Sequence, residues 1–100
     1  MDAEWETLED EGFIGLVGPI YRGRQTGQEC CFRFVAQPKH RNRGGFVQGG
    51  MLMTFADRAL GATARGADLD RIQATMQFDM HFIRPVKIGE SVEIRCKVVQ

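Results

Sequence analysis

The stretch Gly49–Arg65, GGMLMTFADRALGATAR, decides the fold of this chain. Most of its residues from Met51 onward are Ala, Leu, Met or Phe, and this run predicts a helix that ends at Gly66. Arg65 falls in the last turn, where a cation suits the helix dipole. Because the predicted helix is apolar on nearly every side, it has to be surrounded by other elements.

The segments that flank this helix alternate with the two-residue period of β-strands. On its C-terminal side, 72–82 (IQATMQFDMHF) predicts one long, half-buried strand, and 92–98 predicts another after a turn at Lys87–Glu90. On its N-terminal side, 28–36 alternates in the same way. Each of these strands therefore has one face to bury against the helix.

The N-terminal part of the chain is less regular. The segment 12–22 is apolar but interrupted by glycines and a proline, which indicates a bulged or edge strand, and apolar residues three apart predict a short helical turn within 1–11. The order of elements predicts an α+β fold, an antiparallel sheet wrapped around one central helix. We treat 1–100 as a single domain. Because its strand pattern reaches Gln100 without a closing turn, we expect the natural domain to continue or a partner to complete its edge.

Composition narrows the class of protein. The chain has 100 residues and a formal net charge of zero, whereas a nucleic-acid-binding surface needs a basic excess. No segment reaches the length of a membrane span, and no His, Cys or Asp spacing suggests a metal site. Three cysteines without CxxC spacing, Cys30, Cys31 and Cys96, indicate reduced, mostly buried thiols in a cytoplasmic protein. A small, neutral chain hides little of its surface, which favours oligomerisation.

Asp57 is the carboxylate that stands out, because it lies within the apolar helix. An ionised carboxylate on a buried helix is costly unless it is paired or hydrogen-bonded. Two interpretations are open from the residues alone. In the structural one, Asp57 pairs with Arg58 or lies on a thin exposed stripe, although adjacent helix residues do not face each other. In the functional one, Asp57 is a catalytic group.

The two glycines at the start of the helix, Gly49 and Gly50, are the second feature with chemical meaning. A helix N-terminus presents unpaired backbone N–H groups and the positive end of the dipole. Without side chains, glycines let a substrate oxygen approach those N–H groups, which is how an oxyanion hole is built. A plain turn before a helix would leave the same pattern.

The spacing of these residues resembles the PaaI-like branch of the hotdog-fold acyl-CoA thioesterases. Asn42 lies six residues before Gln48-Gly49-Gly50, Asp57 lies nine after Gln48, and Thr75 lies eighteen after Asp57. The turn Phe82–Gly89 completes the pattern, which covers about residues 40–91. The resemblance implies a long helix wrapped by an antiparallel sheet, as the periodicity predicts.

The resemblance also implies an activity, the hydrolysis of a small or medium acyl-CoA thioester, aryl-acyl groups included. Asp57 would be the general base or the nucleophile, and the Gly49 N–H would polarise the thioester carbonyl. Asn42 would position water or substrate, and Thr75 would assist the water. In this family the helix start and the acidic residue of one site come from different subunits, which implies a homodimer or homotetramer with sites at the interface. No cofactor is implied, since coenzyme A enters only as part of the substrate.

Gln48 departs from the family pattern, which has a histidine before the two glycines. Glutamine donates hydrogen bonds to a carbonyl oxygen but neither carries charge nor transfers a proton. Because Asp57 and the backbone donor of Gly49 remain, we favour an active enzyme. Two alternatives stay open: a hotdog dehydratase or hydratase, which generally uses a histidine, and a non-catalytic acyl-CoA-binding hotdog protein.

Basic and histidine side chains near this pattern are secondary candidates. Arg41, Arg43 and Arg84 have the chemistry to bind the phosphates of coenzyme A. His40 lies in the same polar loop as Arg41, where we expect it to be solvated or to touch a phosphate. His81 is expected at a surface or an interface. The methionines of the helix and the long strand are expected to line the core and an acyl tunnel.

Overall fold

The computed structural model describes residues 4–25, 29–66, 75–79 and 85–99. In chain order they form β1 (Glu6–Thr7), α1 (Gly12–Val17), β2 (Tyr21–Arg22), β3 (Glu29–Val35), a 3-10 turn (Pro38–His40), α2 (Gly49–Gly66), β4 (Thr75–Asp79) and β5 (Ser91–Val99). The strands make one antiparallel sheet in the order β1-β2-β3-β5-β4, and α2 packs against β3, β4 and β5. This confirms the predicted α+β architecture, an antiparallel sheet around one long helix.

The central strand pair supplies the buried face of the sheet. In the register of β3 and β5, Phe32 lies opposite Ile94 and Phe34 lies opposite Val92. Phe32 and Phe34 have no exposed surface, and Ile94 is 2% exposed. Because strand side chains alternate between faces, a slip of one residue would carry this whole set to the opposite face of the sheet.

Helix α2 buries one face on this sheet and leaves the other open. Phe55 packs edge-on against Phe34 with ring centroids 4.8 Å apart, and losing a buried phenylalanine side chain typically costs about 3–5 kcal/mol. On the opposite face Asp57 is exposed, and 72% of the surface of Met53 is accessible. The prediction that the helix is surrounded on nearly all sides is therefore wrong for the single chain, and so is a core position for Met53.

The predicted bulged or edge strand over 12–22 is wrong for most of its length, because α1 occupies the segment and only β2 is extended. Ile14 and Val17, three residues apart, are partly buried against the core, which is a helical spacing. Gly15 permits this packing, because a Cβ at its position would lie 2.8 Å from the backbone oxygen of Asp10. Asp10 and Gly15 lie only five residues apart, but the pattern of apolar residues gives no sign of this close backbone approach.

The short helical turn predicted within 1–11 is also wrong over the described residues, where β1 pairs with β2. The backbone N–H of Leu8 donates to the carbonyl oxygen of Ile20 at 2.9 Å. The Arg22 guanidinium lies 2.7 Å from the Glu6 carboxylate. Pairing of this backbone with β2 thus decides its conformation, and the helical spacing of two apolar side chains is too weak a signal to predict it.

The thiols confirm part of the cysteine prediction. Cys30 and Cys96 are buried and lie opposite each other across β3 and β5, whereas Cys31 is partly exposed, and all three are free. Burial raises the pKa of both Cys30 and Cys96, with the Thr63 side chain acting in the opposite direction. Buried thiols that stay protonated are poor nucleophiles, so these two cysteines act as small core residues.

The C-terminal strands are confirmed where the structure describes them. The predicted strand 92–98 lies within β5, and the predicted turn at Lys87–Glu90 is closed by Gly89, whose φ of 98° favours glycine. The predicted strand 72–82 is described over β4, and its remaining residues, with His81, lie outside the described residues. Neither of the described helices combines the length and the apolar character that a membrane crossing requires.

Candidate active site

The start of α2 presents hydrogen-bond donors without acceptors. The carbonyl oxygen of Gln48 accepts hydrogen bonds from the backbone N–H groups of Met51 at 3.0 Å and Leu52 at 3.3 Å, so Gln48 caps the helix. No described residue accepts a hydrogen bond from the N–H groups of Gly49 and Gly50, and both glycines are exposed. The first turn of α2 therefore offers two free donors at the positive end of the helix dipole.

The space around these glycines is open. A Cβ placed on Gly49 or on Gly50 would meet no heavy atom within 4 Å. Packing within the described chain therefore does not explain the glycine at either position, although glycine forms helices less readily than alanine does. A close approach by a ligand or by a partner subunit would explain it.

Asn42 shapes the loop that leads into this helix start. Its side-chain oxygen accepts a hydrogen bond from the Phe46 N–H at 3.0 Å, and the backbone N–H of Asn42 donates to the Phe46 carbonyl at 2.7 Å. Gly45, with φ of 92°, completes this tight turn, and Arg41 and Val47 form a bridge at its base. The oxygen of Asn42 is thus engaged within the loop, while the residue as a whole is exposed beside the start of α2.

Asp57 lies on the open face of α2 and forms no ion pair with a described residue. Its neighbour Arg58 binds Asp10 instead, with Nε and Nη2 each 3.0 Å from the same carboxylate oxygen. Both partners of that pair are only 16% exposed, so the pair is well shielded from water. This arrangement excludes the Asp57–Arg58 pairing in the single chain and leaves Asp57 on an exposed stripe.

The donor end and the carboxylate lie on one face of α2 but far apart along it. Gly50, Met53 and Asp57 are spaced by three and four residues, which places them on one side of a helix. Gly49 and Asp57 are eight residues apart, about 12 Å along the axis at 1.5 Å per residue. One thioester carbonyl is too small to reach both, so one copy of α2 does not bring the two groups together.

Of the remaining predicted site residues, three lie within the described residues and one lies outside them. Thr75 is the first residue of β4, opposite Val99 of β5. Arg41 and Arg43 are exposed on the loop before α2, and no described acidic residue pairs with them. Arg84 lies outside the described residues. Within the described ranges, no group of three or more His, Cys, Asp or Glu side chains is arranged to hold a metal ion.

His40 is the residue whose placement the sequence analysis missed. It is 4% exposed, so the prediction that it is solvated or touches a phosphate is wrong. Its ring contacts the end of α1 and the residue before Pro38, and its carbonyl oxygen accepts the N–H of Gln48. A polar loop gives no local sign of burial, which follows from the contacts of the ring with the end of α1 and with Phe34.

The fold and the start of α2 define a class of protein. It is that of small α+β domains in which a sheet wraps around one helix, and the exposed start of that helix carries free N–H donors. A comparison with protein-family models identifies the family. Residues 44–100 match the thioesterase superfamily, and the chain belongs to it. The matched range contains Gln48, Gly49, Asp57 and Thr75 and excludes Asn42.

Relatives of known sequence are distant. The chain is 27% identical over 86 residues to a putative esterase of Pseudomonas aeruginosa, an alignment that covers 85% of this chain and 64% of the relative. It is 28% identical over 92 residues to a putative esterase of Caenorhabditis elegans, with coverage of 88% and 52%. The chain thus spans between half and two thirds of the length of these relatives. No solved structure matches it.

The hydrogen bond of Asn42 predicts a difference between two substitutions at this position. Asn42→Ala removes the oxygen that accepts the Phe46 N–H and should lower the free energy of unfolding by about 1 kcal/mol. Asn42→Asp keeps an oxygen acceptor and should retain most of that stability. Urea unfolding of both variants measures the difference, and equal stability of the two would contradict a structural role for this oxygen.

Proposed function

We propose that this protein is an acyl-CoA thioesterase of the PaaI-like type, acting on a small or medium acyl group. The observation that carries the proposal is the pair of free backbone donors at Gly49 and Gly50, on the same open face of α2 as the unpaired carboxylate of Asp57. Membership of the thioesterase superfamily supports hydrolysis as the reaction. The PaaI-like type and the coenzyme A substrate are supported by the spacing of Asn42, Gln48 and Asp57.

In the proposed mechanism the thioester carbonyl oxygen points at the Gly49 N–H. Asp57 removes a proton from water as the water oxygen attacks the carbonyl carbon, and negative charge develops on the carbonyl oxygen. The Gly49 donor and the helix dipole stabilise that charge. Collapse of the intermediate breaks the C–S bond, and the proton held by Asp57 passes to the leaving sulfur, which leaves a carboxylic acid and free coenzyme A. Direct attack by the Asp57 carboxylate, followed by hydrolysis of the anhydride, is the other route with these groups.

A complete site then needs two copies of the chain. Because Gly49 and Asp57 lie about 12 Å apart along α2, a second copy in antiparallel orientation would place its Asp57 beside the Gly49 of the first. Twofold symmetry repeats this pairing, so a dimer has two such sites. The exposed Met53 lies between the two groups and would line the apolar part of the site.

The other candidate residues are proposed to orient the substrate, assist the water or bind coenzyme A. The Gln48 side chain is proposed to donate a neutral hydrogen bond to the thioester carbonyl, and Thr75 is proposed to assist the attacking water. Arg41 and Arg43, exposed and without described acidic partners, are proposed to bind the phosphates of coenzyme A, with Arg84 as a further candidate.

Substitutions at the two reacting groups test the mechanism. Asp57→Asn keeps the side-chain shape but removes the base, and it should lower kcat by about 10²–10⁴. Gly49→Pro removes one backbone donor at the first position of a helix, where proline is tolerated, and it should lower kcat by about 10²–10³. Release of free thiol from a panel of acyl-CoA thioesters measures both effects.

The control for the donor is Gly49→Ala, which keeps the N–H and adds only a methyl group, so the loss in Gly49→Pro beyond that in Gly49→Ala measures the donor. Near-normal turnover in Asp57→Asn or in Gly49→Pro would refute the mechanism. Binding of acyl-CoA by calorimetry with no thiol release from the unaltered protein would instead favour a non-catalytic binding protein.

A mixture of the two inactive variants tests whether sites are shared between subunits. In a heterodimer of Asp57→Asn with Gly49→Pro, one site combines both substituted residues and the other is intact. If subunits exchange at random from an equal mixture, about one quarter of the normal activity should return. Each variant alone, treated identically, is the control. If Gly49 and Asp57 of one chain serve the same site, no activity returns.

The loop arginines predict a difference between substrates with and without phosphates. Replacing both Arg41 and Arg43 by alanine should raise the KM for acyl-CoA by about tenfold or more, since charge-assisted contacts contribute about 1.5–3 kcal/mol each. The KM for the matching acyl-pantetheine, which lacks the nucleotide, should not change. Arg24→Ala, at an exposed arginine outside this loop, is the control for removal of a surface charge and is compared with each single variant, Arg41→Ala and Arg43→Ala. Equal losses with both substrates would contradict the assignment.

A further inference from the structure

His40 lies beneath the start of α2 and satisfies polar groups of two other segments. Its Nδ1 accepts a hydrogen bond from the backbone N–H of Gln37 at 2.9 Å, and its Nε2 lies within hydrogen-bond distance of the Val17 carbonyl oxygen. Because a backbone N–H only donates and a carbonyl only accepts, the ring proton has to be on Nε2. The contacts therefore select one neutral tautomer of a side chain that is 4% exposed.

The backbone of His40 connects this ring to the donors of α2. Its carbonyl oxygen accepts the N–H of Gln48 at 2.8 Å, and Gln48 is the cap residue that precedes the free N–H of Gly49. Its ring also packs edge-on against Phe34 at 5.2 Å between centroids, and Phe34 packs in turn against Phe55 of α2. His40 thus contacts the end of α1, the sheet and the cap of α2.

We propose that His40 is a positioning residue for the reaction, one that fixes the direction of the Gly49 N–H by holding the preceding peptide, Val47–Gln48, through the Gln48 N–H. The proposal rests on the proposed function, because it assigns the Gly49 N–H as the donor to the substrate. The Val47–Gln48 peptide joins the Gln48–Gly49 peptide, which carries the donor, at the Cα of Gln48. A shift of the held peptide therefore moves the next one and turns the Gly49 N–H away from the carbonyl oxygen. Misplacement of a catalytic group by about 1 Å costs about 10² in rate.

The ring of His40 does more than fill space in the core. A hydrophobic side chain of similar size would leave the Gln37 N–H and the Val17 carbonyl without the partners that the ring gives them. With both groups satisfied, the turn Pro38–His40 is held from two sides while its last carbonyl faces Gln48. A ring that only stabilised the fold would have no bearing on the direction of the Gly49 N–H.

Three substitutions separate positioning from simple stability. His40→Asn keeps an acceptor for Gln37, His40→Gln keeps a donor for Val17, and His40→Leu keeps neither. Thr63→Val is the matched control, because Thr63 is also buried and hydrogen-bonded, to Ala59 at 2.8 Å, but belongs to the far end of α2. Each substitution is made alone and together with Gly49→Pro. Thiol release is measured at a temperature below the lowest thermal unfolding midpoint of the set.

The expected result is a loss of kcat of about tenfold or more in the Asn and Gln variants, with KM changed less than about twofold. In the Gly49→Pro background the same variants should change kcat by less than about twofold, because the donor that His40 positions is already absent. Thr63→Val should lower the unfolding midpoint and leave kcat unchanged. If His40→Leu does not fold, the Asn and Gln variants still give the comparison.

Two results overturn the inference. Losses in kcat that are the same with and without Gly49→Pro would show that His40 acts independently of the donor. An unchanged kcat in both conservative variants would show that the ring has no part in the reaction. Failure of the proposed function is distinguishable, because Gly49→Pro by itself would then leave turnover near normal.

Discussion

Helix α2 has no internal acceptors for the N–H groups of its first turn. Several contacts of the surrounding chain stabilise this end of the helix. Gln48 caps the helix through its carbonyl, the loop from Arg41 to Val47 closes beside it, and His40 holds the Gln48 N–H from below. None of these contacts takes up the N–H groups of Gly49 and Gly50. The chain stabilises the start of the helix and still leaves two donors unpaired at its positive end.

The sheet determines which face of α2 remains available. Phe34 and Phe55 pack together with the rest of the core on one side, so the stripe that contains Met53 and Asp57 has to face outward. The shielded Asp10–Arg58 pair adds to this arrangement, because it engages the cation nearest to Asp57 in sequence. A carboxylate without a described partner and a free donor end consequently lie on this open face, where the Thr54 hydroxyl is already bonded to the Gly50 carbonyl.

Sequence patterns predicted the elements whose burial repeats along the chain. Alternation placed β3 and β5, and the run of helix-forming and apolar residues placed α2 with its glycine start. The patterns failed where contacts that leave no periodic signal decide the structure. Helix α1 includes a close approach of Gly15 to the Asp10 backbone five residues before it, and the burial of His40 depends on contacts with the end of α1 and with Phe34. For the candidate site, the motif located Gly49 and Asp57, but their separation along one helix follows only from the helical geometry.

Under the proposed function, Gln48 stands where the PaaI-like pattern has a histidine, and this changes where catalytic stabilisation has to come from. A glutamine contributes no positive charge, so the developing negative charge is met by neutral dipoles, chiefly the Gly49 N–H and the rest of the first turn. Dipoles depend more steeply on direction than a charge does, since a rotated N–H loses its interaction while a displaced cation retains most of its own. The proposed site therefore relies on the orientation of one peptide group, Gln48–Gly49. The Met51 and Leu52 N–H groups hold the carbonyl of this peptide, and the proposed role of His40 is to hold the peptide before it.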